Sequence, residues 1–196
     1  MSVNIERIVG WEHVLDDARA TVGKPEINKE PSDIFKAKIL ISEHSPIRKL
    51  LYEITWKSIP YWVAMHFRTH HMGFKSAEDD LYFVQTQRSD RTQHERDKLP
   101  QDAPVLLRAQ MNAQSIINVS RVRLCHLTAL ETRLAWEEML VELKRIDPVL
   151  FEVCVPNCIY RGFCPEAQSC GFNKTSKYEN DFSAYRSYTL SLRVEQ

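Results

Sequence analysis

Glycine is scarce in this chain, with five in 196 residues at positions 10, 23, 73, 162 and 171, and no two lie close enough to form a phosphate-cradling loop. A Rossmann or Walker-type nucleotide site therefore has no support, and any bound nucleotide must be gripped by side chains. Net charge is missing too: 26 Lys+Arg balance 26 Asp+Glu. This excludes a protein that holds a nucleic-acid polymer or an anionic membrane by bulk charge, while leaving room for a small anionic ligand. Apolar runs such as Val105-Leu106-Leu107 and Val149-Leu150-Phe151 fall far short of the ~18 residues that cross a bilayer. The opening stretch MSVNIERIVGW lacks the apolar segment of an export signal. A cytoplasmic location is expected, and the five cysteines are read as reduced thiols or metal ligands before disulfides.

With 43% hydrophobic residues, the chain has enough apolar material for one globular domain over residues 1–196. The pattern predicts a strand over 2–10 and a helix over Trp11–Thr21, stopped by Gly23-Lys24-Pro25. A helix over Ile34–Ser42 follows, capped by Ser32 or Asp33 and stopped by Pro46. Leu51–Ile59 reads as a strand, Pro60 opens a helix running toward His70, and Leu81-Tyr82-Phe83-Val84 reads as a short strand. Ala109 to about Arg145 carries the strongest helical periodicity, as two helices or one bent helix, with Leu127, Leu130 and Leu134 among its apolar positions and Asp147-Pro148 closing it. Tyr188–Val194 alternates and is expected to add a last strand. The class predicted is α+β, a mixed or antiparallel sheet packed against long helices.

Four groups of residues carry chemistry. Asn112, Asn118, Arg121, Arg123 and His126 interrupt an apolar helix, and buried polar groups of this kind need partners or a ligand. Asn118 and Arg121 share a face, whereas one of Arg121 and Arg123 is expected to face solvent; pairing with Glu131 is the plainer alternative. Second, Arg88, Arg91 and Arg96 lie within nine positions, among Gln87, Ser89 and Asp90, and offer forked donors suited to phosphate, with a solvated loop as the alternative. Third, Arg68-Thr69-His70-His71 ends an aromatic helix; His66 and His70 stand four apart, a weak metal signal. Fourth, Cys154, Cys158, Cys164 and Cys170 fall within seventeen residues and are candidate ligands for zinc or an iron–sulfur cluster, with reduced structural thiols the equal alternative. Cys125 is expected to be a core residue.

Taken together, the first two groups resemble the flavin-dependent thymidylate synthases. Arg96…Leu99-Pro100, then Asn112-Ala113-Gln114-Ser115, Asn118, Arg123 and Glu131-Thr132-Arg133 follow that family's order. Ser45-Pro46 resembles its H-E-[ST]-P turn, here preceded by Glu43-His44 in reverse order, and Ala18-Arg19 resembles its early A-R-x-S. The family's R-H-R motif reads Arg68-Thr69-His70, and its closing serine and arginine become Ser89-Asp90-Arg91 after an insertion of about ten residues. The resemblance implies a dUMP site built from Arg68, Gln87, Arg88, Ser89, Asp90, Arg91, Arg96 and Arg123. Arg123 would hold the pyrimidine edge and stabilise charge developing on the ring. It further implies FAD contacts from Ser45, Arg68, Thr69, His70, His71, Gln87, Asn112, Gln114 and Asn118, in active sites shared within a homotetramer. The reaction implied is reductive methylation of dUMP to dTMP with methylenetetrahydrofolate and NADPH. Two alternatives remain: a divergent relative passing a one-carbon unit to a pyrimidine nucleotide with another product, and a non-catalytic module in which the cysteines hold a metal.

Overall fold

Strands form where β-branched and aromatic residues alternate. In the computed structural model, which describes residues 1–71, 81–84 and 95–194, β1 (Ser2–Val9), β2 (Leu51–Pro60), β3 (Leu81–Val84) and β4 (Pro104–Asn112) make one four-stranded sheet in the order β1-β2-β4-β3. Every pairing is antiparallel. Tyr52, Ile54 and Trp56 of β2 and Val105, Leu107, Ala109 and Met111 of β4 are buried, so the period of two puts one face of the central pair into the core. Glu53 and Arg108 meet on the opposite face at 3.7 Å.

Helices cover the buried face: α1 (Trp11–Ala20), α2 (Asp33–Ile41), α3 (Tyr61–Arg68), α4 (Ala113–Arg123), α5 (Leu130–Ile146), α6 (Pro148–Val153), α7 (Asn157–Arg161) and α8 (Ser176–Val194). Ser32 caps α2 by accepting from the Phe35 N–H, as its sequence position predicts. Trp56, Phe67 and Trp136 interlock between sheet and helices at centroid separations of 5.2, 5.5 and 6.3 Å. Both indoles find acceptors, Trp56 in the Ala135 carbonyl at 3.1 Å and Trp136 in the Ser120 hydroxyl at 2.9 Å. Buried Asp147 accepts from the Trp11 indole at 2.6 Å, the Tyr52 hydroxyl at 2.7 Å and the Leu150 amide at 3.1 Å, tying α1, β2 and α6 together.

The α+β class is the one observed, with three local corrections. Residues 109–112 belong to β4 because the alternation of Val105, Leu107, Ala109 and Met111 runs on until Asn112, and helical period begins only after it. Tyr188–Val194 is helical, inside α8: Tyr178, Phe182 and Tyr185 recur at helical spacing toward the small cluster of Ile159 and Phe172, and Lys177 pairs with Asp181 at 2.7 Å one turn on. Leu130 and Leu134 are about half exposed, at 55 and 45%, because Thr132, Ala135, Trp136 and Met139 take the inward stripe of α5, and Leu127, 54% exposed, lies in the turn before that helix. Among the described residues no helix is long and apolar enough to cross a membrane.

Candidate functional site

Asn112 is the last residue of β4 and the cap of α4. Its Oδ1 accepts from the Ser115 amide at 2.9 Å, and the Ala113 amide donates to the Leu50 carbonyl at 2.9 Å. Since Leu51 pairs with Asn112 in the sheet, the start of α4 is locked to the start of β2, directly after the 3₁₀ turn Ser45–Lys49. The two segments that resemble the family's motifs therefore leave the sheet at the same end.

Along α4, Gln114, Asn118 and Arg121 lie on one face. Gln114 donates to Glu43 at 2.8 Å and to Asn118 at 3.3 Å, and Arg121 donates to Asn118 at 3.3 Å and to both carboxylate oxygens of Glu43. Tyr160 of α7 gives its hydroxyl to Glu43 at 3.1 Å and lays its ring 3.6 Å from the Arg121 guanidinium, a cation–π contact. Glu43 occupies this position with a left-handed φ of 49°, a conformation that costs a non-glycine residue on the order of 1 kcal/mol and persists where the surroundings enforce it. Burial pushes the Glu43 carboxyl up, but the bonds from Arg121, Gln114 and Tyr160 and the Arg121 charge prevail and hold it below its ordinary value.

Arg123 leaves α4 on another face. Its Nε–H donates to Nε2 of His70 at 2.5 Å and its terminal nitrogen donates to the His66 carbonyl at 2.7 Å. Burial, then the Arg123 charge and His66, bring the His70 pKa down to about 4, so the ring is neutral and accepts the guanidinium proton. His66, lowered by burial and then by Arg123, sits 3.1 Å from the Thr132 hydroxyl. Commitment of both rings to these contacts, beside a cation, does not suit the metal pairing weighed for His66 and His70.

The predicted site residues thus divide. Arg123, His70, Thr69 and Arg68 meet where α3 and the turn Thr69–His71 approach the end of α4, with Arg68 and Thr69 exposed. Asn112, Gln114 and Asn118 form the second group, with Ser45 exposed at the neighbouring turn. Gln87, Arg88, Ser89, Asp90 and Arg91 lie outside the described residues, and Arg96 and His71 are described by backbone alone, in the 3₁₀ turns Arg96–Lys98 and Thr69–His71. The expectation that one of Arg121 and Arg123 faces solvent is corrected: both are half-buried, since residues two apart on a helix diverge toward different partners. The partner of Arg121 is Glu43, and Glu131 is exposed. Sequence reading missed Glu43 and Tyr160 as site residues. Glu43 lies two residues before Ser45 of the Ser45-Pro46 turn, but its partners stand 71 to 117 positions away.

The cysteines are also redistributed. Cys154, expected in the metal group, is buried in the main core, where burial pushes its thiol up to about 12. Cys125, expected in the core, is half-buried just beyond α4 and shares the lining of a small cavity with Cys158, Cys164 and Cys170. Among the described residues no three His, Cys, Asp or Glu side chains already stand as a metal-ligand group.

The residues fit a flavin dinucleotide in kind. Arg68 is an exposed guanidinium, half-buried Asn118 carries an amide, and neutral His70 presents its ring nitrogen to Arg123. The buried Nε of Arg121 has no hydrogen-bond partner, which marks this face of α4 as richer in donors than its internal contacts use. Asn112 and Gln114 are buried and spend groups on Ser115, Glu43 and Asn118.

No family model matches the chain. The flavin-dependent thymidylate synthase ThyX of Helicobacter pylori, solved with FAD and dUMP, superposes with a TM-score of 0.62 at 14% identity, covering 79% of this chain and 100% of that one. The fold is that of the flavin-dependent thymidylate synthases. The UMP/dUMP methylase PolB of Streptomyces cacaoi, bound to 5-Br dUMP, is similar with a TM-score of 0.57 at 13% identity over 83% of this chain and 96% of that one. In sequence, 62 residues are 44% identical to a flavin-dependent thymidylate synthase of Clostridium tetani. That stretch is 31% of this chain and spans about a quarter of the relative, 24% of its length. The resemblance read from the motifs is therefore found again in a curated thymidylate synthase and in the fold.

Proposed function

We propose that this protein is a thymidylate synthase of the flavin-dependent kind, converting dUMP to dTMP with FAD, methylenetetrahydrofolate and NADPH. The observation that carries the reading is the bond from Arg123 to neutral His70. It joins the end of the Arg-Thr-His motif to the arginine that the resemblance assigns to the pyrimidine. Because the imidazole is uncharged, it orients the guanidinium without neutralising it, and that positive charge is what a uracil ring gaining electron density requires. Arg123 would bind the pyrimidine edge and steady the developing negative charge. Arg91, Arg96 and Ser89, with Arg88, Gln87 and Asp90 beside them, would take the phosphate and base of dUMP. Arg68, Thr69, His70, His71, Ser45 and Asn118 would line the FAD site, walled by Asn112 and Gln114. Bound flavin supplies the hydride that such a methylation needs. A homotetramer with shared sites and a cytoplasmic location complete the reading, and residues 1–196 act as one domain.

A second reading has a specific basis. Thr69 and His70 replace the second and third residues of the R-H-R motif, and a UMP/dUMP methylase shares the fold, so a pyrimidine nucleotide other than dUMP is the competing substrate. Purified protein should be yellow, release FAD on denaturation and rescue a thymidine-requiring host. Incubation with labelled dUMP or UMP, folate and reductant then separates the readings by which nucleotide gains the methyl group. A colourless protein that binds neither nucleotide overturns both.

A further inference from the structure

The cavity beyond α4 has room for a single water-sized body, about 10 Å³, and four of the five thiols of the chain line it. They arrive from three places: Cys125 from the turn that ends α4, Cys158 from α7, and Cys164 and Cys170 from the connection between α7 and the 3₁₀ turn Phe172–Lys174. That connection is nearly all exposed over residues 161–170. Gly162 and Gly171 bend it with φ of 80° and 84°, conformations open to glycine at no steric cost. The core beneath it is small, with Ile159, Phe172 and Tyr178 buried. An exposed loop with so little apolar anchorage needs a staple, and it nevertheless returns two cysteines to one point.

We infer that Cys125, Cys158, Cys164 and Cys170 form a structural site for one thiophilic divalent cation of the zinc type. Four sulfur donors around an ion-sized space suit tetrahedral Zn²⁺, which binds thiolates at about 2.3 Å, and a closed set of four leaves no open position for chemistry. Among the described residues no three of these side chains stand as a ready ligand group, so binding requires the loop cysteines to close on Cys125 and Cys158. The step balances without oxidation: four S–H bonds give up protons to solvent, four S–Zn bonds form, and no electrons move. Cys154 takes no part, being buried in the main core. The set therefore differs from the sequential run of four cysteines in containing Cys125 from far upstream.

The test uses the full chain, purified under reducing conditions. Metal analysis should find roughly one zinc per chain, and titration of the stripped protein with Co²⁺ should give the intense sulfur-to-cobalt charge-transfer band of four-thiolate coordination. Cys125→Ser and Cys158→Ser should each weaken Co²⁺ binding on the order of a hundredfold, whereas Cys154→Ala leaves it unchanged. If a serine variant does not fold, alkylation of the native protein decides the matter, because zinc should shield Cys125, Cys158, Cys164 and Cys170 together. No cobalt–thiolate band, full binding by Cys125→Ser, loss of binding in Cys154→Ala, or a disulfide among the four in place of metal would each overturn the inference.

Discussion

Arg123 and His70, 53 positions apart, are joined by a 2.5 Å hydrogen bond in which the guanidinium donates and an uncharged imidazole accepts. The pair brings α3 and the last turn of α4 to one point, and its asymmetry sets the first expectation. Replacing Arg123 by Ala should lower turnover by about a hundredfold or more, the usual cost of a donor aimed at developing charge, while far-ultraviolet circular dichroism stays native. His70→Ala should reduce kcat, and His70→Gln, which keeps an acceptor, should recover part of it. An Arg123→Ala enzyme as fast as the parent would remove Arg123 from the chemistry.

The same histidine makes stability depend on pH. Its folded pKa of about 4 lies below the ordinary 6.5, so between those values the unfolded chain holds a proton that the native protein does not. Stability is complete above pH 6.5 and declines as pH falls toward 4, by about 1–2 kcal/mol after allowance for partial exposure. Urea midpoints for the parent and His70→Gln across this range should converge at the acid end. Parallel curves would mean that His70 does not carry the effect.

Glu43 gathers donors from two residues of α4 and one of α7. Glu43→Ala should cost about 1–3 kcal/mol, since it leaves the half-buried Arg121 without its carboxylate, and Glu43→Gln should cost less. Its lowered pKa makes this contribution complete above about pH 4.5 and lost as pH falls through the folded value. Denaturant titration at neutral pH and near pH 4 tests both parts, and equal stability of Glu43→Ala and parent at neutral pH would show that the network adds nothing.

Two apolar residues six apart on α5 should behave differently. Trp136 is fully buried, and Trp136→Ala should cost about 3–5 kcal/mol through its cavity and the lost bond to Ser120. Leu130, 55% exposed, should change stability by about 0.5 kcal/mol or less when cut to Ala. Thermal melting of the two variants would reveal an inverted order at once.

What the sequence made legible was local. Strands β1, β2 and β3 and the cap of α2 followed from alternation, proline placement and Ser32, because each depends on neighbours a few residues away, whereas β4 was hidden by the helical periodicity that begins at its end. The Asn118–Arg121 contact was visible for the same reason. Glu43 and Tyr160 were not, as their partners are joined only by the folded sheet. Cys125 and Cys154 exchanged roles for a related reason: spacing grouped the cysteines by position, whereas the turn after α4 returns Cys125 to the loop and α6 buries Cys154. The swap of strand for helix over Tyr188–Val194 shows alternation misleading where no sheet edge receives it.

The register of β2 against β4 is continuous from Leu51 to Trp56 and breaks between Trp56 and Ile59, where Ser58 adopts a φ of 58°. The two ends of this strand pair therefore differ in mechanical tolerance. One residue added beside the irregularity can be taken up as a wider bulge. One residue added near Met111 would displace Asn112 by about 3.4 Å and turn it to the opposite face, uncapping α4 and carrying Gln114, Asn118, Arg121 and Arg123 away from their partners together. Length variation that this architecture survives belongs at the Ser58 end, and the Asn112 end behaves as a fixed datum from which every site distance is measured.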